Sequence, residues 1–301
     1  MLFQGTGTAL ATPFHRDGRI DYARFDRLLA QQIEGGVEAL VVCGSTGESA
    51  TMSTGEKLEI IEHTVRFASE VGEGRPQVIA GTGSNVTSDT VALTIQAATL
   101  GVDGVLLVSP YYNKPSQRGI YEHFAAIAEA APDLAMILYN VPARTGSNIS
   151  AATTLRLAHD YRNIVAIKEA SADIDQCVAI IRDAPEGFLL YSGEDSLTLP
   201  LIAVGARGVI AVVSNEVPHE YGTMVRAALQ GDFAKGREIH LRLSRLMAMN
   251  FIESNPVPVK EALVMMGIFE EANYRPPLVP LEEENRETLR KELQNLGLTA
   301  E

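Results

Sequence analysis

A rhythm restricts this chain more than any other feature: short apolar β-rich runs recur, each followed by a longer stretch with helical spacing. Residues 8–11, 39–43, 77–80, 104–108, 136–139, 165–168, 188–192 and 208–213 read as strands. Between them 22–34, 55–71, 88–100, 117–130, 151–159, 173–182 and 197–204 carry apolar residues three and four apart, as helices laid on a sheet do. Alternation of this kind requires parallel strands joined by crossover helices. Eight units in series predict closure into a (β/α)8 TIM barrel, with an open doubly wound sheet as the alternative. Thr87, Ser116 and Ser150 stand where helix N-caps are needed, and Gly101, Gly205 and Gly231 where helices stop.

After residue 213 the β signal ends, and 221–230, 233–251, 257–266 and 282–296 all read helical. The chain has 301 residues, more than the roughly 250 that a barrel needs. We therefore expect a barrel core over 1–217 and C-terminal helices over 218–301, the latter including the last barrel helix. Leu2-Phe3-Gln4-Gly5 is read as lead-in with no function.

Acidic residues outnumber basic ones by 38 to 25, a formal charge of -13, which disfavours nucleic acid and anionic membrane surfaces as partners. Cys43 and Cys177 have no metal-ligand spacing, so neither a disulfide framework nor a zinc site is expected, and a reducing cytoplasm fits. No run approaches the roughly 18 apolar residues of a membrane span. Nucleotide-loop, dinucleotide and metalloprotease motifs are missing, so neither an organic cofactor nor a metal is expected.

Chemistry concentrates at the ends of the predicted strands, where barrels carry their active sites. Lys168 ends an apolar strand; buried there, a lysine is pushed toward the neutral amine that attacks a ketone. It can equally be a strand-end lysine that reaches water or pairs with Glu169. Tyr139 lies 29 residues earlier, about one βα repeat, so both side chains can face one barrel mouth. Arg144 follows in Asn140-Val141-Pro142-Ala143-Arg144-Thr145-Gly146, where a guanidinium can clamp a carboxylate. A phenol there can relay protons, or simply fill space. Gly44-Ser45-Thr46-Gly47-Glu48-Ser49 places two hydroxyls between glycines, a carboxylate cradle or an ordinary turn. Tyr111-Tyr112-Asn113 closes strand four, and Gly193-Glu194-Asp195 and Ile210 complete the rim.

Four rim segments, Gly44-Ser45-Thr46-Gly47-Glu48-Ser49, Pro110-Tyr111-Tyr112-Asn113-Lys114-Pro115, Tyr139-Asn140-Val141-Pro142-Ala143-Arg144-Thr145-Gly146 and Ile167-Lys168-Glu169, together with residues 8–14 and Asn255-Pro256-Val257-Pro258-Val259-Lys260, strongly resemble the 4-hydroxy-tetrahydrodipicolinate synthase (dihydrodipicolinate synthase) family of pyruvate-dependent class I aldolases. The resemblance spans nearly the whole chain. It implies that Lys168 condenses with pyruvate, that Thr46 holds the pyruvate carboxylate, and that Tyr139, Ser45 and a Tyr112 from a partner subunit relay protons. Arg144 would bind the carboxylate of L-aspartate 4-semialdehyde, and Gly193 and Ile210 would offer backbone carbonyls near Lys168. A homodimer or homotetramer in lysine and diaminopimelate biosynthesis is implied as well.

Ser45 replaces the family's commoner threonine, and sialic-acid lyases share Gly-Ser-Thr-Gly-Glu. Arg144 favours the synthase, with another 2-keto-acid aldolase second and a non-catalytic pyruvate-binding protein third. Ser49, Ala50, Asn85, Asp89 and Tyr111 match or nearly match the family's lysine-inhibition site. Thr54 and Lys57 stand where lysine-sensitive members often have histidines, which implies weak feedback inhibition.

Overall fold

Alternate residues of a strand point to opposite faces, and in this chain both faces are apolar because one fills a barrel and the other meets helices. The computed structural model describes residues 2–299. Its order is β1 Gly5–Ala9, α1 Tyr22–Glu34, β2 Ala39–Val42, α2 Thr54–Ser69, β3 Gln77–Gly81, α3 Thr87–Thr99, β4 Gly104–Val108, α4 Gln117–Ala130 and β5 Met136–Asn140. A single turn, α5 Pro142–Thr145, precedes α6 Ala151–Asp160, β6 Ile164–Glu169, α7 Ile174–Asp183, β7 Leu189–Ser192, α8 Thr198–Ala203 and β8 Gly208–Ala211. The tail is α9 Pro218–Leu229, α10 Phe233–Met249, α11 Val257–Met265 and α12 Glu283–Leu296. All eight strands are parallel and close in sequence order, β8 pairing with β1, so the sheet is the predicted TIM barrel and not an open sheet.

Two apolar clusters follow from the alternation. Ala39, Val41, Ile79, Leu106, Ile137, Ala166, Tyr191 and Ile210 fill the barrel, while the intervening residues join the helices in the larger outer core. At the β1–β8 seam, a Cβ on Gly208 would lie 2.1 Å from the Gly5 carbonyl oxygen, so only glycine lets these strands meet.

Three expectations need correction. The first strand begins at Gly5 and ends at Ala9, earlier than residues 8–11, because pairing with β8 captures the lead-in. Phe3 is likewise structural: it is buried, and its ring stacks on Tyr191 at 4.5 Å between centroids, plugging the far end of the barrel. Thr87 is the first residue of α3, not its cap; its hydroxyl is engaged by His123 Nδ1 at 2.9 Å. Ser116 and Ser150 do cap α4 and α6, accepting from Gly119 N and Thr153 N.

The tail is locked to the barrel mouth by charge. Lys260 on α11 is fully buried, and its Nζ donates to Glu48 Oε1 and to the Asn273 carbonyl, both at 2.5 Å. Glu48 Oε2 accepts from Arg275 N at 3.1 Å. Burial pushes the Lys260 ammonium toward neutrality and Glu48 opposes that. Glu48 itself sits at φ 54, a left-handed conformation costly outside glycine, which this double anchoring sustains.

Candidate active site

β5 and β6 pair so that Tyr139 lies directly opposite Lys168. Partners in parallel register point to the same face, and here that face is the barrel interior at its C-terminal mouth. Lys168 Nζ stands 4.4 Å from the centre of the Tyr139 ring. Both are buried, at 5% and 7% exposure, so the amine is held against an aromatic wall and away from bulk water. Glu169, one residue on, points to the opposite face. Its carboxylate accepts from Asn140 Nδ2, Ser171 N and Gln176 Nε2, and it makes no ion pair with Lys168 among the described residues. The alternative of a Lys168–Glu169 pair is thus excluded by strand alternation.

A cavity of about 170 Å³ opens over these side chains, and Ser45, Thr46, Arg144, Gly193 and Glu194 share its wall with Tyr139 and Lys168. Ser45 and Thr46 arrive on the turn after β2, closed by Gly47 N to Gly44 O at 3.1 Å and Glu48 N to Ser45 O at 3.1 Å. Thr46 is buried and its hydroxyl accepts from Asn255 Nδ2 at 3.0 Å, leaving its own proton to donate elsewhere. Arg144 rides on α5, exposed at the outer lip, where its Nη2 donates to the Asn255 carbonyl at 3.3 Å. Asn255 thus supports a hydroxyl on one side of the cavity and a guanidinium on the other. Gly193 has to be glycine, because a Cβ would lie 2.6 Å from Ala170 Cβ; its N–H donates to the Glu169 carbonyl at 2.7 Å. Ile210 is fully buried within the barrel filling.

Tyr112 is not in this cavity. It is 90% exposed with φ 70, and its amide donates to the Thr145 carbonyl, so its ring projects from the molecule beside the mouth. Tyr111 instead lines a larger neighbouring recess of about 350 Å³ with Ser49, Ala50, Lys57, Ser45 and Arg144. Asn85 Nδ2 donates to the Tyr111 carbonyl at the edge of that recess. Thr54 and Asp89 lie in the first turns of α2 and α3 and are not among the residues lining it.

No local signal in its own segment marks Asn255 as a site residue, and Asp195, expected only as part of the rim, ties two loops together beneath it. The link from Asn255 to Thr46 crosses 209 residues, and only the Asn255–Lys260 phrase within the family resemblance pointed there. Asp195 is buried beneath the mouth and accepts from Val212 N at 3.1 Å and Val213 N at 2.7 Å, tying the loop after β7 to the end of β8.

The family model for the dihydrodipicolinate synthetase family matches residues 2–296. A 4-hydroxy-tetrahydrodipicolinate synthase of Chlorobium phaeobacteroides is 47% identical over 98% of this chain and 97% of its own. The crystal structure of dihydrodipicolinate synthase from Aquifex aeolicus superposes with a TM-score of 0.95 at 45% identity, covering 99% of this chain and 100% of that one. A structure described as the first monomeric dihydrodipicolinate synthase variant superposes at 0.94 with 42% identity, over 98% of this chain and 97% of that one.

Burial pushes the Asp195 carboxyl up from 3.8 to about 6 despite those amide bonds. Between these values the folded protein keeps a proton that the unfolded chain releases, so the stability this group contributes is full in acid and is lost as pH rises through about 6. Urea unfolding of the wild type and Asp195→Asn from pH 4 to 7 should show the wild type losing stability relative to the variant as pH increases. A gap that is flat, or that grows with pH, contradicts the buried-acid reading.

Proposed function

Because the chain belongs to the dihydrodipicolinate synthetase family, we infer that it condenses pyruvate with L-aspartate 4-semialdehyde, the reaction of a 4-hydroxy-tetrahydrodipicolinate synthase. One observation carries the mechanistic reading: Lys168 Nζ lies sheltered at 4.4 Å from the Tyr139 ring in the mouth of a closed barrel. A neutral amine there adds to the keto carbon, water leaves, and an imine joins Lys168 to pyruvate. Loss of a methyl proton gives the enamine, whose carbon attacks the aldehyde and forms the new C–C bond. The substrate's own amine then attacks the imine carbon, the ring closes, and the lysine nitrogen departs with a proton. Tyr139 is the proton carrier for these transfers, with Ser45 beside it on the cavity wall. Thr46 holds the pyruvate carboxylate through its hydroxyl proton, Gly193 and Ile210 supply main-chain contacts near the lysine, and Arg144 receives the second carboxylate at the lip. None of these steps calls on a metal or an organic cofactor. No helix among the described residues is long and apolar enough to cross a membrane, and we place the enzyme in the cytoplasm.

Tyr112 acts in trans in this reading: its outward ring, with nothing to do in its own cavity, enters the mouth of a second copy, so the working unit is a homodimer or a homotetramer. Lys57 puts an ammonium into the recess that a regulatory lysine would enter, and like charges repel.

Four outcomes are expected. The enzyme consumes aspartate semialdehyde with pyruvate in preference to cleaving sialic acid or 2-keto-3-deoxygluconate, and Tyr139→Phe lowers kcat by roughly 10²- to 10⁴-fold; preferential cleavage of either sugar acid overturns the synthase reading. Tyr112→Phe lowers turnover while pyruvate still forms its adduct, and unchanged turnover removes the shared relay. Lysine inhibits weakly or not at all, and strong inhibition at submillimolar lysine in the rate assay contradicts the role given to Lys57.

A further inference from the structure

The electrophile of this reaction is a zwitterion, yet the roles assigned so far account only for its carboxylate. Its ammonium group needs an anionic or strongly accepting partner within the same cavity. Among the described residues lining that cavity, Glu194 is the one that carries a carboxylate. It follows β7 just as Arg144 follows β5, and the strand order β5-β6-β7 sets the two charges on either side of Lys168. Among the described residues no arginine or lysine forms an ion pair with Glu194; its carboxylate only accepts from the Ser196 hydroxyl at 3.4 Å. Its main chain is fixed, with Glu194 N donating to Ser192 Oγ at 3.3 Å and Glu194 O accepting from the same hydroxyl at 2.7 Å. Lys168 lines the same cavity.

We propose that Glu194 binds the ammonium group of the amino-acid aldehyde and, with Arg144, selects a zwitterionic electrophile over a simple aldehyde acid. The half-buried Glu194 carboxylate, with no cationic side chain paired to it among the described residues, attracts the incoming ammonium. This assignment rests on the synthase reading and adds a specificity determinant to it.

The test uses the full-length enzyme at saturating pyruvate, with aspartate 4-semialdehyde as substrate and succinate semialdehyde, its deamino analogue, as competitor. Glu194→Gln is expected to raise KM for the amino aldehyde about tenfold or more. The inhibition constant of succinate semialdehyde should fall or stay within about twofold, because that ligand never met the charge. Glu194→Asp, shorter but still anionic, should recover part of the loss. Borohydride trapping of pyruvate by both variants should match the wild type. Equal weakening of both aldehydes, no change in either, or lost pyruvate trapping overturns the assignment. A wild type that consumes no amino aldehyde refutes the synthase reading instead, and the inference falls with it.

Discussion

The register between β5 and β6 is the constraint on which the site depends. It sets Tyr139 opposite Lys168, turns both into the barrel, and sends Glu169 to the other face, where three donors hold it. A slip of one residue would put a carboxylate in the mouth and a lysine among the helices. The slip is opposed from both sides, since Ile137 and Ala166 fill the barrel while Leu138 and Ile167 join the outer core. Chemistry at the mouth is thus a consequence of packing along the whole strand.

The second dependence runs from the tail to the mouth. The turn bearing Ser45 and Thr46 carries non-glycine residues at positive φ at both ends, Cys43 at 59 and Glu48 at 54, so local preference does not maintain it. Lys260 and Arg275 bind Glu48, Asn255 binds Thr46, and the Asn255 carbonyl binds Arg144. A buried ion pair is seldom a net source of stability, but breaking one partner leaves a charge stranded at a cost of about 3–5 kcal/mol. Its effect here is specificity of conformation: hydroxyls and guanidinium are aligned by a segment more than a hundred residues away in sequence.

Much of this was legible in the sequence because it is periodic or local. Eight apolar runs, seven amphipathic stretches and the caps at Ser116 and Ser150 are patterns that strand and helix geometry impose on short windows. Lys168 and Tyr139 could be paired because one βα repeat separates them. What was not legible is long-range or depends on partners. The residues 2–5 looked like lead-in because a strand pairing with β8, and a ring stacking on Tyr191, leave no local trace. Thr87 looked like a cap because the competing partner, His123, lies on another helix. Asn255 and Asp195 have ordinary local settings, and their roles appear only when β2, β7, β8 and the tail meet.

The central claim is that the sheltered amine at position 168 captures a keto acid as an imine. Borohydride reduction in the presence of pyruvate, followed by peptide mass mapping, tests it most directly. The account predicts a single reduced pyruvyl adduct on Lys168, absent without pyruvate and absent from Lys168→Ala. An unmodified Lys168 in the wild type, or an adduct carried by another lysine, contradicts it.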